Sequence, residues 1–323
     1  MDKSELLQLI DSFSKKEILV IGDTIVDHYI YGTLLGTSAE TPTLVAKELK
    51  QTFSLGGASL VCRNLLQLKS KVHFMTLVGN DTEAELIKKF SHPGLFLYPW
   101  QEEDRKTTVK RRYWVDGYKL LQFDQLDDRP ISAVLENQIL KTVQQLISSV
   151  SAVIFSDYRH GLLTPSLIES LLKIAREAGV VSFVDSQVSQ KHSNHHLYQG
   201  ASVMCLNLKE AKCVDPQLSV PQKAADFQRI KERLNISNIV IKQGEQGSVA
   251  CLHEHLYTTP ALRVQPVDPC GAGDAFLAAL SVSGLQKPNA ALQMANIWAG
   301  LSTTTLGPQP PAFEKLIEVL EKI

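Results

Sequence analysis

The stretch DPCGAGDAF, residues 268–276, places two glycines around one alanine directly before an aspartate. The apolar run FLAAL follows and predicts a helix that begins at the glycines. Glycine lets the backbone approach an anion closely, and the free N–H groups at a helix start bind phosphate. The stretch therefore predicts an anion hole at Gly271 and Gly273, beside a carboxylate base, Asp274. The alternative is a simple loop in which Asp274 only caps the helix.

Two better-known glycine signatures do not fit this stretch. A dinucleotide-binding fingerprint needs a third glycine and the first strand–helix turn of the chain, and neither condition is met. The P-loop pattern G-x-x-x-x-G-K-[ST] occurs nowhere in the sequence. The Gly-Ala-Gly stretch therefore predicts a phosphate-binding turn that is neither a dinucleotide-binding fingerprint nor a P-loop.

The composition is that of a globular protein that acts on small molecules. The 323 residues are 44% hydrophobic and 21% charged, and the formal net charge is −1. No overall positive field attracts nucleic acid or an anionic membrane, and no apolar run reaches the roughly 18 residues that a membrane-spanning helix needs. The five cysteines are scattered without a C-x-x-C pair, which is typical of reduced thiols. We expect a cytoplasmic protein.

Short apolar segments alternate with longer amphipathic ones along most of the chain. The helix predicted at 163–179 has Thr164 as its N-cap, Pro165 in its first turn and Gly179 after its end. The alternation predicts an α/β fold with a doubly wound, mainly parallel sheet, in which ligands bind at the carboxyl ends of the strands. The predicted strands are 17–22, 71–79, 151–156, 180–185, 201–206 and 238–243.

Two segments interrupt the alternation. Residues 105–124 combine aromatic and charged positions around Asp116-Gly117, which predicts a β-hairpin, and residues 29–49 have a similar mixed character. We therefore expect a single domain, residues 1–323, with a small β-rich lid formed by these two inserted segments. Lids of this kind close over substrates and exclude water. A homodimer contact through the lid is a further candidate role.

These pieces together resemble the PfkB, or ribokinase-like, carbohydrate kinases. The stretch GAGD resembles the carboxy-terminal signature of the family, and four other motifs resemble its remaining signatures in the expected order: GDTIVDHYIYG (22–32), SLGGASLVCRN (54–64), NLKE (207–210) and KQGEQG (242–247). Within the family the chain most resembles D-glycero-D-manno-heptose 7-phosphate kinases, the kinase domain of bifunctional ADP-heptose synthesis proteins. That likeness is carried by GDTIVDHYIYGTLLGTSAETPTLV, TTVKRRYWVDGYKLLQFD, SDYRHGLL and the ending LGPQ.

The resemblance implies phosphoryl transfer from ATP, with Mg²⁺, to a hydroxyl of a sugar or sugar phosphate. In the heptose branch the acceptor is the anomeric hydroxyl of an already phosphorylated sugar. Asp274 is then the general base, assisted by the amides of Ala272 and Gly273. The implied sugar-binding residues are Asp27, Gly56 and Gly57. The implied nucleotide-binding residues are Asn207, Glu210, Lys242, Gly244 and Asn296, with Glu210 holding Mg²⁺ through water. Asp268 is a candidate for a monovalent cation such as K⁺.

Simpler interpretations stay open for several of these residues. Asp27 ends the predicted strand segment EILVIGDTIVD, but it could instead be solvated, with Asp23 as the turn residue. Asn207 could cap a helix beginning LKEAK, with Glu210 completing a capping box. Lys242 could be an ordinary exposed lysine.

Lys110 and Arg112 are an independent indication about the substrate. Residues two apart on a strand point to one face roughly 7 Å apart, so both positive groups could clamp one anion, such as a phosphate on the sugar. The alternative is that they protect an exposed sheet edge. The histidines His192, His195 and His196 lie in a polar loop without a neighbouring acid or cysteine, which favours solvated side chains over a metal site.

Three places depart from the family pattern. Leu60 stands where an asparagine that helps to hold the sugar is usual, Pro269 replaces a threonine, and Ser186-Gln187 stand where the heptose branch has proline and lysine. The Leu60 departure leaves the identity of the sugar open. The Pro269 departure leaves open whether its loop binds a monovalent cation, and the Ser186-Gln187 departure leaves open whether a lysine with a substrate or structural role is lost. The alternative functions are therefore another sugar or nucleoside kinase of the family, and a catalytically silent sugar- or nucleotide-binding protein of the same fold.

Overall fold

The computed structural model describes residues 3–188, 192–221 and 223–322. The strands in this part of the chain are β1 (Glu17–Gly22), β2 (Thr24–Thr37), β3 (Leu44–Gly57), β4 (Lys71–Val78), β5 (Leu95–Gln101), β6 (Val109–Val115), β7 (Tyr118–Gln125), β8 (Ala152–Asp157), β9 (Val181–Ser186), β10 (Val203–Asn207), β11 (Asn238–Lys242), β12 (Ser248–Leu252) and β13 (His255–Thr259). The α-helices are α1 (Lys3–Phe13), α2 (Ala58–Gln67), α3 (Thr82–Lys88), α4 (Ala133–Leu146), α5 (Pro165–Glu177), α6 (Leu208–Val214), α7 (Ala224–Leu234), α8 (Ala272–Ser283), α9 (Pro288–Ser302) and α10 (Phe313–Glu321).

The main sheet has nine strands in the order β13-β12-β11-β10-β9-β8-β1-β4-β5. Neighbouring strands pair in parallel from β11 to β5, whereas β12 and β13 pair antiparallel at one edge. Two apolar layers cover the sheet. One contains side chains of α1, α2, α8 and α9, and the other contains side chains of α4, α5 and α7. The prediction of a doubly wound, mainly parallel sheet is confirmed.

The six strands predicted from apolar runs are all present, with ends within two residues of the prediction. Helix α5 also begins as predicted, because the Thr164 hydroxyl accepts the N–H of Leu167 at 3.2 Å and Pro165 occupies the first turn. The sequence prediction missed three strands of the main sheet: β5, β12 and β13. The residues of β5, LFLYPWQ, contain a proline and are largely half-buried, so they lack the continuous apolar pattern of a central strand.

A second sheet has the strand order β3-β2-β6-β7. Strands β6 and β7 form the predicted hairpin, in which Asp116 and Gly117 both have positive φ, 48° and 83°. The pairing of β2 with β3 begins at Thr24, earlier than the predicted segment 29–49. Asp27 therefore belongs to the second sheet, and the prediction that it ends the first strand of the main sheet is wrong. The two strands look continuous in sequence because Ile25 and Val26 are buried where the sheets meet.

Among the described helices, none is long and apolar enough to cross a membrane. The five cysteines are free thiols; Cys62, Cys205 and Cys251 are buried, and Cys213 and Cys270 are exposed.

Candidate active site

The Gly-Ala-Gly turn leads directly into α8, as the sequence predicts. Gly271 has a φ of 85°, and a Cβ at this position would lie 2.6 Å from Leu60 Cδ2, so the turn needs glycine there. Asp274 lies in the first turn of the helix. The Ala272 N–H, however, donates to the Pro269 carbonyl at 3.2 Å. The first-turn amides of Gly273 and Asp274 are the other candidate donors to an anion at this turn, and the role of Ala272 stays a prediction.

Asp274 lies in a setting that changes its protonation. The Tyr158 hydroxyl donates to Asp274 Oδ1 at 2.8 Å. Burial, followed by the negative charge of Asp185, raises the pKa of Asp274 to about 7, while the Tyr158 hydrogen bond and the Lys242 charge act to lower it. A carboxylate with a pKa near the working pH is well matched to accepting a proton.

Three charged side chains line the same cleft as Asp274: Lys242, Asp185 and Glu210. Each lies at the end of a strand or the start of a helix. Lys242 ends β11 and forms an ion pair with Asp185 on β9, so the interpretation of Lys242 as an exposed lysine is wrong. Burial acts to lower the pKa of Lys242, but Asp185, Cys205 and Glu210 together outweigh burial, and the pKa is raised. A Cβ on Gly273 would lie 3.4 Å from Lys242 Nζ. The ammonium group is thus positioned over the Gly-Ala-Gly turn, where it can neutralise an anion.

Asn207 and Glu210 form the capping box at the start of α6. Asn207 Oδ1 accepts the N–H of Glu210 at 2.9 Å, and Glu210 Oε2 accepts the N–H of Asn207 at 2.7 Å. Glu210 is 3% exposed, and burial together with the charge of Asp185 raises its pKa to about 6. Among the described residues, no group of three or more His, Cys, Asp or Glu side chains is arranged to hold a metal ion. The magnesium role of Glu210 stays a prediction.

Two adjoining clefts meet at this edge of the main sheet and share Gly244, Ala272, Asn296 and Ala299 as lining residues. One cleft has a volume of about 320 Å³ and a charged lining. The other has a volume of about 430 Å³ and a largely apolar lining. A charged space continuing into an apolar one suits the phosphates and the base of a nucleotide. The charged lining includes Tyr158, Asp185, Glu210, Lys242 and Asp274, and the apolar lining includes Leu262, Val264, Pro266 and Pro269.

A polar face of the second sheet supplies the remaining charged groups. We use this term for Asp27, Tyr29, Ser54, Lys110 and Arg112, which share one face because Asp27 pairs with Ser54 and Lys110, and Tyr29 with Arg112. Arg112 forms an ion pair with Asp27 and lies over the Tyr29 ring, 5.2 Å from its centre. Lys110 and Arg112 therefore share a face as predicted. Their strand β6 is internal to the sheet, so the edge-protection interpretation is wrong.

Glycine at position 56 brings the backbone against the Asp27 carboxylate. A Cβ on Gly56 would lie 2.3 Å from Asp27 Oδ2, and a Cβ on Gly57 would lie 2.4 Å from the Asp23 carbonyl oxygen. Asp27 is 5% exposed rather than solvated. Burial raises the pKa of Asp27, and Arg112 opposes that effect. Asp23, which would be the turn residue if Asp27 were solvated, is also buried.

Two peripheral predictions have different outcomes. Asp268 Oδ1 accepts the N–H of Cys270 at 2.9 Å and Oδ2 accepts the N–H of Gly307 at 3.1 Å, so this carboxylate ties two loops together and its cation role stays a prediction. His195 is fully buried, with Nε2 2.9 Å from the Ser186 carbonyl oxygen. Solvation was therefore the wrong expectation for His195, because its loop packs back onto the end of β9.

Sequence reasoning did not assign a site role to Tyr158 or Asp185. Both are polar residues at the carboxyl end of an apolar strand, β8 and β9 respectively. Since ligands of doubly wound sheets bind at that end, polar residues that directly follow an apolar run are the signal that could have identified them.

The chain matches known proteins over nearly its whole length. The family described as "pfkB family carbohydrate kinase" matches residues 15–315. The "Bifunctional protein HldE" of Trichlorobacter lovleyi is 32% identical over 320 residues, which is 95% of this chain and 63% of that protein. The protein of the same name from Campylobacter jejuni is 31% identical over 311 residues, 94% of this chain and 65% of that protein. The chain thus spans less than two thirds of the length of these curated relatives.

Solved structures with the same fold have much lower sequence identity. A structure of Arabidopsis thaliana ribokinase complexed with ribose and ATP has a TM-score of 0.73 at 17% identity and covers 95% of this chain and 99% of that one. A structure of phosphofructokinase-2 from Escherichia coli in complex with potassium has a TM-score of 0.73 at 13% identity, covering 95% and 98%.

Proposed function

Since this chain belongs to the pfkB family of carbohydrate kinases, we propose that it transfers the γ-phosphoryl group of ATP to a sugar phosphate, with heptose 7-phosphate and its anomeric hydroxyl as the first candidate. Family membership confirms the resemblance and makes the chain a sugar kinase. The finer proposal is carried by one observation: Asp274, with a pKa of about 7, lies in the first turn of α8 where the charged cleft ends. The heptose branch is supported by the sequence segments quoted above and by the two relatives named HldE.

In the proposed reaction Asp274 takes the proton of the acceptor hydroxyl. The hydroxyl oxygen forms a bond to the γ-phosphorus, the bond from that phosphorus to the bridging oxygen breaks, and ADP leaves with the electron pair. The amides at the start of α8 and the ammonium group of Lys242 neutralise charge on the transferring phosphoryl group. Positioning and charge neutralisation are the main requirements of phosphoryl transfer.

The charged cleft also suits the divalent cation that accompanies ATP. Glu210 and Asp185 supply carboxylate oxygens, the kind of ligand that Mg²⁺ prefers, and Asn207 lies beside them. When bound, Mg²⁺ neutralises and orients the phosphates. Glu210 and Asn207 would hold it through water, because Mg²⁺ gives up its hydration shell reluctantly. At Asp268 the carboxylate already accepts two backbone N–H groups, and a monovalent cation would add to those contacts.

The polar face of the second sheet is proposed to bind the acceptor. Asp27 would accept sugar hydroxyls, and Gly56 leaves room for them beside its carboxylate. Arg112 holds Asp27 in place through their ion pair, which leaves Lys110 to pair with a phosphate on the sugar. Among the described residues Lys110 has no ion-pair partner within 4.0 Å. Leu60 packs under Gly271, so the acceptor is held without the amide that is usual in the family.

A panel of sugars, sugar phosphates and nucleosides, assayed for ATP-dependent ADP release, tests the proposal. A sugar phosphate should be the best acceptor, and Asp274→Asn should lower kcat by roughly 10²- to 10⁴-fold with ATP affinity little changed. Asp11→Asn, an exposed position on α1, is the matched control. Preference for a nucleoside would favour another kinase of the family. Nucleotide binding without turnover of any acceptor would favour the silent binding protein.

A further inference from the structure

The loop after β8 is held by two buried carboxylates that the proposed mechanism does not use. Asp23 Oδ2 accepts the N–H groups of Tyr158 and His160, at 3.0 and 3.2 Å. Asp157 Oδ1 accepts the N–H of Arg159 at 2.8 Å. Asp23 is 3% exposed and Asp157 is 1% exposed. Three successive backbone amides are therefore bound by side chains that cannot move into solvent without cost.

The same loop is anchored on its far side. Asp157 Oδ2 accepts the Ser186 hydroxyl at 2.9 Å, the Asn194 amide at 2.8 Å and the Tyr198 hydroxyl at 2.8 Å. Arg159 has a φ of 65°, a conformation that non-glycine residues rarely adopt and that these contacts hold in place. The backbone position of Tyr158 is thus set by the surrounding structure before any substrate binds.

From this fixed loop, the Tyr158 ring reaches across the charged cleft to Asp274. Its hydroxyl donates to Asp274 Oδ1 at 2.8 Å. Burial, followed by the negative charge of Asp274, raises the pKa of Tyr158 well above its usual range, so the phenol stays protonated and remains a donor. Since one carboxylate oxygen is engaged, the other, Oδ2, is the oxygen left for an acceptor hydroxyl.

We propose that Tyr158 is the positioning residue for Asp274: it orients the carboxylate so that Oδ2 receives the acceptor proton. The catalytic consequence rests on the proposed function, but the contact itself does not. The charged and titratable groups facing Asp274 come from four elements: Asp185 on β9, Lys242 on β11, Asp27 on β2 and Cys270 in the preceding turn. Of these groups, Lys242 acts together with Tyr158 to favour the ionised carboxylate, whereas Asp185 and Asp27 oppose it.

Tyr158→Phe removes only the donating hydroxyl. Asp274 then loses a hydrogen bond to its charged form, so its pKa should rise. The acid limb of the kcat–pH profile should move to higher pH by about one unit, the shift expected for one lost hydrogen bond to a carboxylate. At pH 7 kcat should fall roughly fivefold, because the ionised fraction of Asp274 drops from about one half to about one tenth, while the KM for ATP changes less than about twofold. An acid limb at the wild-type pH would overturn the proposal.

Tyr198→Phe is the matched control, because it removes the same atom from a fully buried tyrosine whose partner is Asp157 instead of Asp274. It should lower the melting temperature without moving the acid limb. Equal shifts in both variants would assign the effect to general loosening of the loop and would contradict a specific role for Tyr158.

A measurement without substrate separates this inference from the proposed function. Aspartate carboxyls labelled with ¹³C can be titrated by NMR in the full chain, and the signal absent from Asp274→Asn identifies Asp274. Its pKa should be higher by about one unit in Tyr158→Phe than in the wild type or in Tyr198→Phe. An unchanged pKa would refute the Tyr158 assignment even in an active kinase. A raised pKa in a protein that phosphorylates no acceptor would uphold the contact and reject the proposed function.

Discussion

Replacing Lys110 by methionine should remove much of the preference of this protein for a phosphorylated acceptor. The substitution keeps a long, unbranched side chain on β6 but deletes the charge. Asp27 and Arg112, which pair with each other beside it, are left in place. Only the group proposed to contact the substrate phosphate is therefore lost.

The expected size follows from the exposure of the site. A hydrogen bond to a charged group contributes about 1.5–3 kcal/mol. Lys110 is partly exposed, so solvent screening favours the lower end of that range. Since about 1.4 kcal/mol corresponds to a factor of ten, the ratio of kcat/KM for sugar phosphate over free sugar should fall roughly tenfold.

Arg112→Met should behave differently. It would leave the Asp27 carboxylate, which is 5% exposed, without its partner. An unpaired buried carboxylate is costly and shifts toward its neutral form. Turnover of both acceptors should therefore fall, with less change in their ratio than Lys110→Met produces.

The assay compares kcat/KM for a sugar phosphate and its unphosphorylated counterpart in each variant, at fixed saturating ATP. Lys47→Met, at an exposed position of β3 that pairs with Thr33, far along the strand from Ser54, is the matched control. An unchanged ratio in Lys110→Met would refute the phosphate contact. A fall in the ratio for Arg112→Met alone would instead assign the phosphate to Arg112.

Three further predictions concern protonation, assembly and sterics. Asp274 must be ionised to accept a proton, and its pKa is raised to about 7. We therefore expect kcat to fall about tenfold per pH unit below that pH. A flat kcat profile between about pH 5 and 7 would contradict the role of Asp274 as the base. Leu121 and Phe123 on β7 are 55% and 61% exposed, so the second sheet is expected to mediate a homodimer. Changing both residues to aspartate should give a monomer by sedimentation, whereas Val134→Asp on α4 should leave the dimer intact. A wild-type protein that is monomeric at all concentrations would exclude the dimer. Gly56→Ala places a Cβ 2.3 Å from Asp27 Oδ2. The substitution should therefore raise the KM for the acceptor more than the KM for ATP. Equal effects on the two KM values would argue against a sugar site beside Asp27.

Much of the fold could be predicted from local patterns. Buried parallel strands require continuous apolar runs, so β1, β4, β8, β9, β10 and β11 were visible in the sequence, as was α5 with its Thr164 cap. The hairpin at Asp116-Gly117 was equally visible, because its turn needs positive φ at both positions. Strand β5, half-buried and interrupted by a proline, carried no such signal.

The candidate site could be predicted only in part. Motif resemblance identified Asp274 and the Gly-Ala-Gly turn, and strand alternation placed Lys110 and Arg112 on one face. No local pattern could show that Arg112 pairs with Asp27, 85 residues away in sequence, or that Pro269 engages the Ala272 amide. Backbone hydrogen bonds of an irregular turn depend on its actual conformation.

By itself, the sequence determined the elements of this protein and the chemical groups at their ends, because strand burial, helix capping and turn conformation are imposed by residues close together in the chain. Only the tertiary structure decided which groups meet. Tyr158, Lys242 and Asp274 come from three distant segments and converge where parallel strands end together at one edge of the main sheet. The raised pKa of Asp274 likewise depends on burial and on the charge of Asp185. Both are properties of the packed chain, since in an unfolded chain water would surround each of these groups and separate them.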